Sequence, residues 1–147
     1  MSTDVRVVQT EARPTAVVAR ATTWDEFPSL WGQLLDQVYA FLKTSDVQQT
    51  GHNVMLYKDG VPNVEVGVEV SGPFASSGPV VASTLPAGKA AMTVHRGEYS
   101  RLDDAHSAIH RWAAANGRQL AGPRWEIYGD WHEDPARLET EVYWLLG

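Results

Sequence analysis

Apolar and polar residues alternate with two different periods along this chain, and the same order of periods recurs in its second half. Alternation with a period of two predicts strands, and apolar residues three and four apart predict amphipathic helices. The first half predicts these elements: strands over Val5–Gln9 and Thr15–Ala21, a helix from Phe27 to about Thr44, and strands over Asn53–Lys58 and Val64–Ser71. The second half predicts the same series: strands over Val80–Thr84 and Ala90–His95, a helix from Leu102 to about Ala115, and strands over Arg124–Asp130 and Glu139–Leu146.

Capping and turn signals support the division into two halves. Thr23–Glu26 has the form of a capping box and Pro28 suits a first helical turn, while Ser100–Asp103 repeats the capping signature ahead of the second helix. The stretch 71–79 is rich in Gly, Ser and Pro and is typical of a connection. We therefore expect one domain over 1–147, with repeat one at about 5–71 and repeat two at about 80–147.

The halves correspond residue by residue in their last two strands. Val54–Tyr57 matches Trp125–Tyr128, Val64–Val66 matches Thr140–Val142, and Trp24 falls opposite Tyr99 in front of the helices. A unit that occurs twice predicts a pseudo-two-fold α+β domain, in which an antiparallel sheet carries both helices on one face. The ligand cleft is expected on the other face.

The alternation divides the strand residues between these two faces. Facing the helices we expect Trp125, Ile127, Val142, Trp144 and Leu146. On the opposite face we expect Met55, Tyr57, Glu65, Gly67, Glu69, Glu126, Tyr128, Glu141 and Tyr143. A concave surface of Tyr, Met and Glu suits a flat apolar or cationic ligand through stacking, cation–π contact and charge pairing.

A solvated strand face is the plain alternative to a binding surface. It accounts well for Glu65 and Glu69, since Glu alternating with Val is ordinary in a half-exposed strand. It accounts less well for Glu126, which stands between Trp125 and Ile127. For Glu126 we favour a site. His95 stays open, because its strand position allows it either to face the cleft or to pack structurally.

Composition and charge exclude several classes of function. The 147 residues include no Cys, so no disulfide or thiolate metal site is expected, and no apolar run approaches the ~20 residues of a membrane span. The first residues lack a secretory pattern, which predicts a cytoplasmic protein. The net charge is −6 and no Lys/Arg cluster is present, so we expect no direct nucleic-acid binding, whereas a cationic ligand or a basic protein patch remains compatible.

Metal and nucleophile patterns are weak. His106 and His110 stand four residues apart on the second helix, but HSAIH lacks the Glu of a zincin motif, and we expect both on the solvated edge of that helix. Ser100 and Ser107 lie outside any nucleophile elbow. No metal and no cofactor are expected.

Three stretches resemble a known family: GKAAMTVHRGEYSRLDDAHSAIHRW (88–112), GRQLAGPRWEIYGDW (117–131) and ETEVYWLL (139–146). They resemble the GyrI-like small-molecule-binding domain, which is also the effector-binding half of several bacterial multidrug-responsive transcription regulators. The resemblance implies tandem strand–helix–strand–strand repeats that bind bulky lipophilic cations and other aromatic compounds between them. It places the central acidic residue at Glu126, ringed by Tyr128, Tyr99 and Tyr143. The regulators carry a helix-turn-helix domain ahead of this one, so this chain is expected to be a free-standing version.

Three functions remain open at this point. We favour a drug-binding, sequestering or sensing module, whose ligand-binding residues would be Glu126, Tyr128, Tyr143, Tyr99, Glu141, Tyr57, Met55 and His95. The second is a hydrolase that opens strained electrophilic rings, in which Glu126 activates water and Tyr128 or Tyr143 donates a proton. The third is a protein–protein interaction of the gyrase-inhibitor kind, with a protein partner or a homodimer.

Overall fold

The computed structural model describes residues 4–59, 63–76, 78–130 and 132–147. The first repeat contains β1 (Arg6–Thr10), β2 (Arg13–Ala21), α1 (Phe27–Lys43), β3 (Gln49–Tyr57) and β4 (Asn63–Val70). The second contains β5 (Val80–Leu85), β6 (Gly88–Arg96), α2 (Leu102–Ala115), β7 (Leu120–Tyr128) and β8 (Glu139–Leu146). Short 3-10 turns, Tyr99–Arg101 and Pro135–Arg137, precede α2 and β8.

All described strands form one antiparallel sheet in the order β1-β6-β8-β7-β3-β4-β2-β5. β1, β2, β3 and β4 of the first repeat correspond to β5, β6, β7 and β8 of the second. Exchanging each strand for its counterpart reverses the strand order, so the pseudo-two-fold axis passes between β3 and β7. The expected α+β class with tandem repeats is confirmed.

The first strand of each repeat pairs with the other repeat: β1 with β6 and β5 with β2. The two outer strands are nevertheless close at one corner, because the chain passes from β1 to β2, and from β5 to β6, through only two residues each. The Thr10 hydroxyl lies 3.0 Å from the carbonyl oxygens of both Pro86 and Gly88 at this corner. The sheet must therefore curve strongly, and its concave side encloses an apolar cluster: Val54, Leu56, Leu85, Ala90, Met92, Trp125, Ile127 and Tyr143.

Both helices pack on the other side of the sheet. α1 buries Phe27, Leu34 and Val38 against the alternating valines of β4, as its apolar stripe predicted. α2 buries Ala105 and Ile109 against Val142 and Trp144. The small alanines of α2 allow its backbone to lie close to the sheet.

Two groups of residues on the central strands lie on the face of the sheet opposite to the one expected from the sequence. Directly opposed residues share a face, and Glu126 is opposed by Met55 on β3 and Val142 on β8, whereas Trp125 is opposed by Tyr143. Glu126, Tyr128, Met55 and Tyr57 therefore lie on the helix side, and Trp125 and Ile127 lie on the enclosed side. Alternation separates two sets of residues, but both sets are buried in β7, so burial alone could not show which set faces the helices.

Candidate functional site

A cavity of about 760 Å³ opens between the two helices, above the central strands β3 and β7. It lies on the helix face of the sheet, whereas the sequence predicted a cleft on the opposite face. One wall is apolar and belongs to α1, with Phe27, Trp31, Leu35 and Tyr39. The other wall is formed by Tyr99, Leu102 and Asp103 at the start of α2, and the floor by Met55, Tyr57, Glu126 and Tyr128.

The floor repeats the two-fold symmetry of the fold. Met55 and Glu126 are cross-strand partners, and Tyr57 and Tyr128 stand two residues beyond them on their own strands. Each tyrosine ring meets an aromatic ring from the turn before the neighbouring helix, with centroid separations of 5.6 Å for Tyr57 and Trp24 and 5.5 Å for Tyr128 and Tyr99. The two repeats thus contribute equivalent tyrosines to the floor, but only the second contributes a carboxylate, Glu126, where the first has Met55.

Glu126 is buried, with only 4% of its surface exposed, and it accepts hydrogen bonds from three side chains. The phenols of Tyr57, at 3.2 Å, and of Tyr128 both donate to its Oε1. The imidazole Nε2 of His106 lies 2.7 Å from its Oε2. In the described part of the chain, no Lys or Arg nitrogen lies within 4.0 Å of this carboxylate.

The phenols remain donors throughout the physiological range. Burial, followed by the negative charge of Glu126, raises the pKa of Tyr57 far above its ordinary value. The same causes in the same order raise the pKa of Tyr128. Both hydroxyl groups therefore keep their protons and hold the carboxylate by hydrogen bonds.

Arg124 stands beside the site in an aromatic cage. Its guanidinium carbon lies 5.0 Å from the ring centroid of Trp144 and 5.6 Å from those of Trp24 and Tyr57. Burial lowers the pKa of Arg124, yet a guanidinium keeps its proton in proteins, so the group is a cation held by ring faces. Aromatic rings next to the floor thus hold a cation of the protein itself.

Five of the eight residues expected from the sequence line this cavity: Glu126, Tyr128, Tyr99, Tyr57 and Met55. That they bind a ligand remains a prediction.

The other three lie elsewhere. Tyr143 is on the enclosed face, where its ring stacks on Trp125 at 5.2 Å and its hydroxyl donates to Glu141 at 2.5 Å. The sequence correctly placed Tyr143 and Glu141 on the face away from α2, but the cavity lies on the helix face. His95 is buried, and its Nε2 lies 2.8 Å from the carbonyl oxygen of Glu98, so it anchors the turn that carries Tyr99.

His106 and His110 were both expected on the solvated edge of α2, but only His110 is exposed. Only 18% of the His106 side chain is exposed, because it lies against the sheet with its ring edge-on to Trp144. Its position next to the apolar stripe of α2 was compatible with either a solvated or a buried edge. Within the described ranges, no group of three or more metal-ligating side chains could hold a metal ion, and no helix is long and apolar enough to cross a membrane.

Comparison with known proteins supports the fold and the family. A family model described as the GyrI-like small molecule binding domain matches residues 3–146. No curated protein matches the chain.

Several solved structures share the fold. The C-terminal domain of EcmrR superposes with a TM-score of 0.86 at 18% identity, over 100% of this chain and 99% of that one. SAV2435 bound to tetraphenylphosphonium gives 0.76 at 11% identity, over 98% and 94% of the two chains. A hydrolase from Listeria innocua gives 0.62 at 10% identity, over 99% and 93%.

Proposed function

The chain belongs to the GyrI-like small molecule binding domain family, and on this premise we propose that it binds bulky aromatic or lipophilic cations between its two repeats. One observation carries the proposal: Glu126 is a buried carboxylate held by hydrogen bonds alone, at the floor of a cavity walled by aromatic rings. Its charge has no contacting Lys or Arg among the described residues. A ligand cation supplies the missing partner.

The size and lining of the cavity agree with a ligand of this kind. About 760 Å³ lies within the range of pockets that enclose drug-sized molecules. Trp31 and Tyr99 stand at its mouth with 40% and 39% of their surfaces exposed, so that both offer ring faces and edges to an entering molecule. Among the solved structures that share the fold, SAV2435 was determined with tetraphenylphosphonium, a lipophilic cation with four aromatic rings.

Two probes of the same shape and different charge test the proposal. Methyltriphenylphosphonium is a cation, and triphenylphosphine oxide presents the same three rings without net charge. Two unit charges about 6 Å apart at an effective dielectric constant of about 20 attract by about 3 kcal/mol. We therefore expect the protein to prefer the cation by roughly a hundredfold in isothermal titration calorimetry.

Glu126→Gln should remove most of this preference and leave affinity for the phosphine oxide within about threefold, because it deletes the charge and keeps the shape. Asp104→Asn is the matched control: it removes one negative charge from α2, where Asp104 pairs with Arg101 and is 62% exposed. Equal affinity of the unmodified protein for both probes, or no binding of either, would refute the proposal.

Ring-opening hydrolysis is the second candidate, favoured by a proton donor and a carboxylate in direct contact within the cavity. The Tyr128 hydroxyl donates to Glu126, whereas Tyr143 is on the other face and takes no part. Two phenols occupy Oε1 and one imidazole occupies Oε2, so the remaining lone pair of Oε2 is the position from which Glu126 would accept a proton from water. A cyclopropane-bearing alkylating compound, incubated with the protein and with Glu126→Gln and Tyr128→Phe, decides the matter: ring-opened product that depends on both residues supports hydrolysis.

A further inference from the structure

His106 joins Glu126 to the indole of Trp144 in one chain of hydrogen bonds. Its Nε2 lies 2.7 Å from Glu126 Oε2, and its Nδ1 lies 2.9 Å from the indole nitrogen Nε1 of Trp144. An indole N–H can only donate, so Nδ1 must accept and carries no proton. Nε2 then carries the single ring proton and donates it to the carboxylate.

This arrangement holds the imidazole in its neutral form. Protonation of Nδ1 would set two N–H groups against each other across 2.9 Å, with neither able to accept. The Arg124 guanidinium, 5.0 Å from the Trp144 ring centroid, is a further positive charge on this side. The negative charges of Glu126 and of Asp103, one turn earlier on α2, favour a protonated imidazole instead. The ring of His110 meets Trp144 in a T-shaped contact, with the centroids 4.5 Å apart.

We propose that His106 is a specificity-determining residue: locked neutral by Trp144, it positions Glu126 without cancelling its charge, so that the cavity selects monocations over neutral aromatic molecules. This inference rests on the proposed function. It adds the reason why His106, a basic side chain that touches the carboxylate, does not neutralise it. Arg124 also acts on Glu126 through its charge, but without contact. An imidazolium at position 106 would form an ion pair with Glu126 and leave the floor without net charge.

The other repeat shows that the fold does not require a histidine here. His106 is the fifth residue of α2, and the fifth residue of α1 is Trp31, whose side chain lines the cavity. The same helical position thus carries an apolar ring in one repeat and the carboxylate's partner in the other.

Two substitutions separate charge from structure. His106→Gln keeps a neutral N–H donor close to the position of Nε2, and His106→Lys places a permanent cation against Glu126. Calorimetry with methyltriphenylphosphonium and triphenylphosphine oxide gives the ratio of the two affinities for each variant. We expect the Gln variant to keep the ratio within about threefold, and the Lys variant to lower it by at least about thirtyfold while its affinity for the phosphine oxide stays within about threefold.

Each result decides the inference. A Lys variant with the unmodified preference for the cation would overturn it, and so would a Gln variant that loses the preference as fully as the Lys variant does. Equal affinity of the unmodified protein for both probes would instead overturn the proposed function. The tautomer is tested without any ligand or variant, by nitrogen-15 NMR of the histidine rings at neutral pH: a proton on Nε2 alone supports the inference, and a proton on Nδ1 of His106 overturns it.

Discussion

Removing the two phenols that meet Glu126, singly and together, measures how the buried carboxylate is held. Tyr57 and Tyr128 both donate to the same oxygen, Oε1, and each hydroxyl also lies near the sulfur of Met55, at 3.7 Å and 3.3 Å. In Tyr57→Phe or Tyr128→Phe alone, Oε1 keeps the other phenol. In the double variant it loses both, while the carboxylate remains buried.

The magnitudes follow from this shared acceptor. A hydrogen bond to a charged group contributes about 1.5–3 kcal/mol, and the remaining phenol can strengthen its bond when the first is lost, so each single substitution should cost about 1–2 kcal/mol. In the double variant, Oε1 has neither phenol as a donor, although Glu126 is only 4% exposed. The cost of the double variant should exceed the sum of the singles by at least about 1 kcal/mol.

Urea unfolding of the four proteins, followed by tryptophan fluorescence, gives the coupling energy directly. Tyr39→Phe combined with Tyr57→Phe is the matched control, because the Tyr39 hydroxyl also lies in the cavity lining but donates to Asn53 and not to Glu126. That pair should be additive within about 0.5 kcal/mol. If the costs of Tyr57→Phe and Tyr128→Phe also add within about 0.5 kcal/mol, the idea that the two phenols share one acceptor is refuted.

Two further predictions concern stability. Burial raises the pKa of Tyr57, Tyr128 and Tyr143, so the folded protein keeps phenol protons that the unfolded chain loses near pH 10. These tyrosines should therefore leave the unfolding free energy unchanged below pH 10. Above it, each should lower the unfolding free energy by up to about 1.4 kcal/mol per pH unit. Urea unfolding between pH 8 and 11.5 tests this, and phenolate absorbance rising near pH 10 for all tyrosines of a folded protein would contradict it. Gly67→Ala should cost more than about 4 kcal/mol, because its Cβ would lie 1.8 Å from a backbone carbonyl oxygen of β2. Gly32→Ala on α1, where the added methyl meets nothing within 4 Å, should instead stabilise by about 0.5–1 kcal/mol; equal melting temperatures for the two variants would contradict the reasoning.

The helices and most strand segments could be predicted from local patterns of apolar, capping and turn residues. The Thr23 hydroxyl accepts the backbone N–H of Glu26 at 3.1 Å, which is one of the two hydrogen bonds of the predicted capping box, and α1 begins at Phe27. Strands β3 and β7 are longer than predicted at their starts, by Gln49–His52 and Leu120–Pro123. Both extensions contain a register shift, and Gly122 there has φ +116°. A bulge breaks the alternation on which the prediction depended, so it had no local signal.

The contents of the site were more predictable than its position. Matching the repeats brought together Met55, Tyr57, Glu126 and Tyr128, because paired central strands of a duplicated sheet must meet at the axis. The side of the sheet depended on long-range register, and β7 is buried on both faces, with Trp125 at 1% and Glu126 at 4% exposure. The strand exchange that encloses Trp125 joins residues far apart in the chain, such as Val8 and Ala90 or Val18 and Val80, and no local pattern encodes it.

The position of Glu126 explains why the two repeats had to diverge in their chemistry. Met55 is its cross-strand partner at the symmetry axis, so a symmetric pair of carboxylates would stand about 5 Å apart. At an effective dielectric constant of about 20 they would repel by about 3 kcal/mol, and one would take up a proton to relieve the repulsion. A second acid at position 55 would therefore add no charge to the floor. Met55 instead offers a polarisable sulfur to the same two phenols that hold Glu126, which keeps the frame symmetric while one repeat supplies the charge.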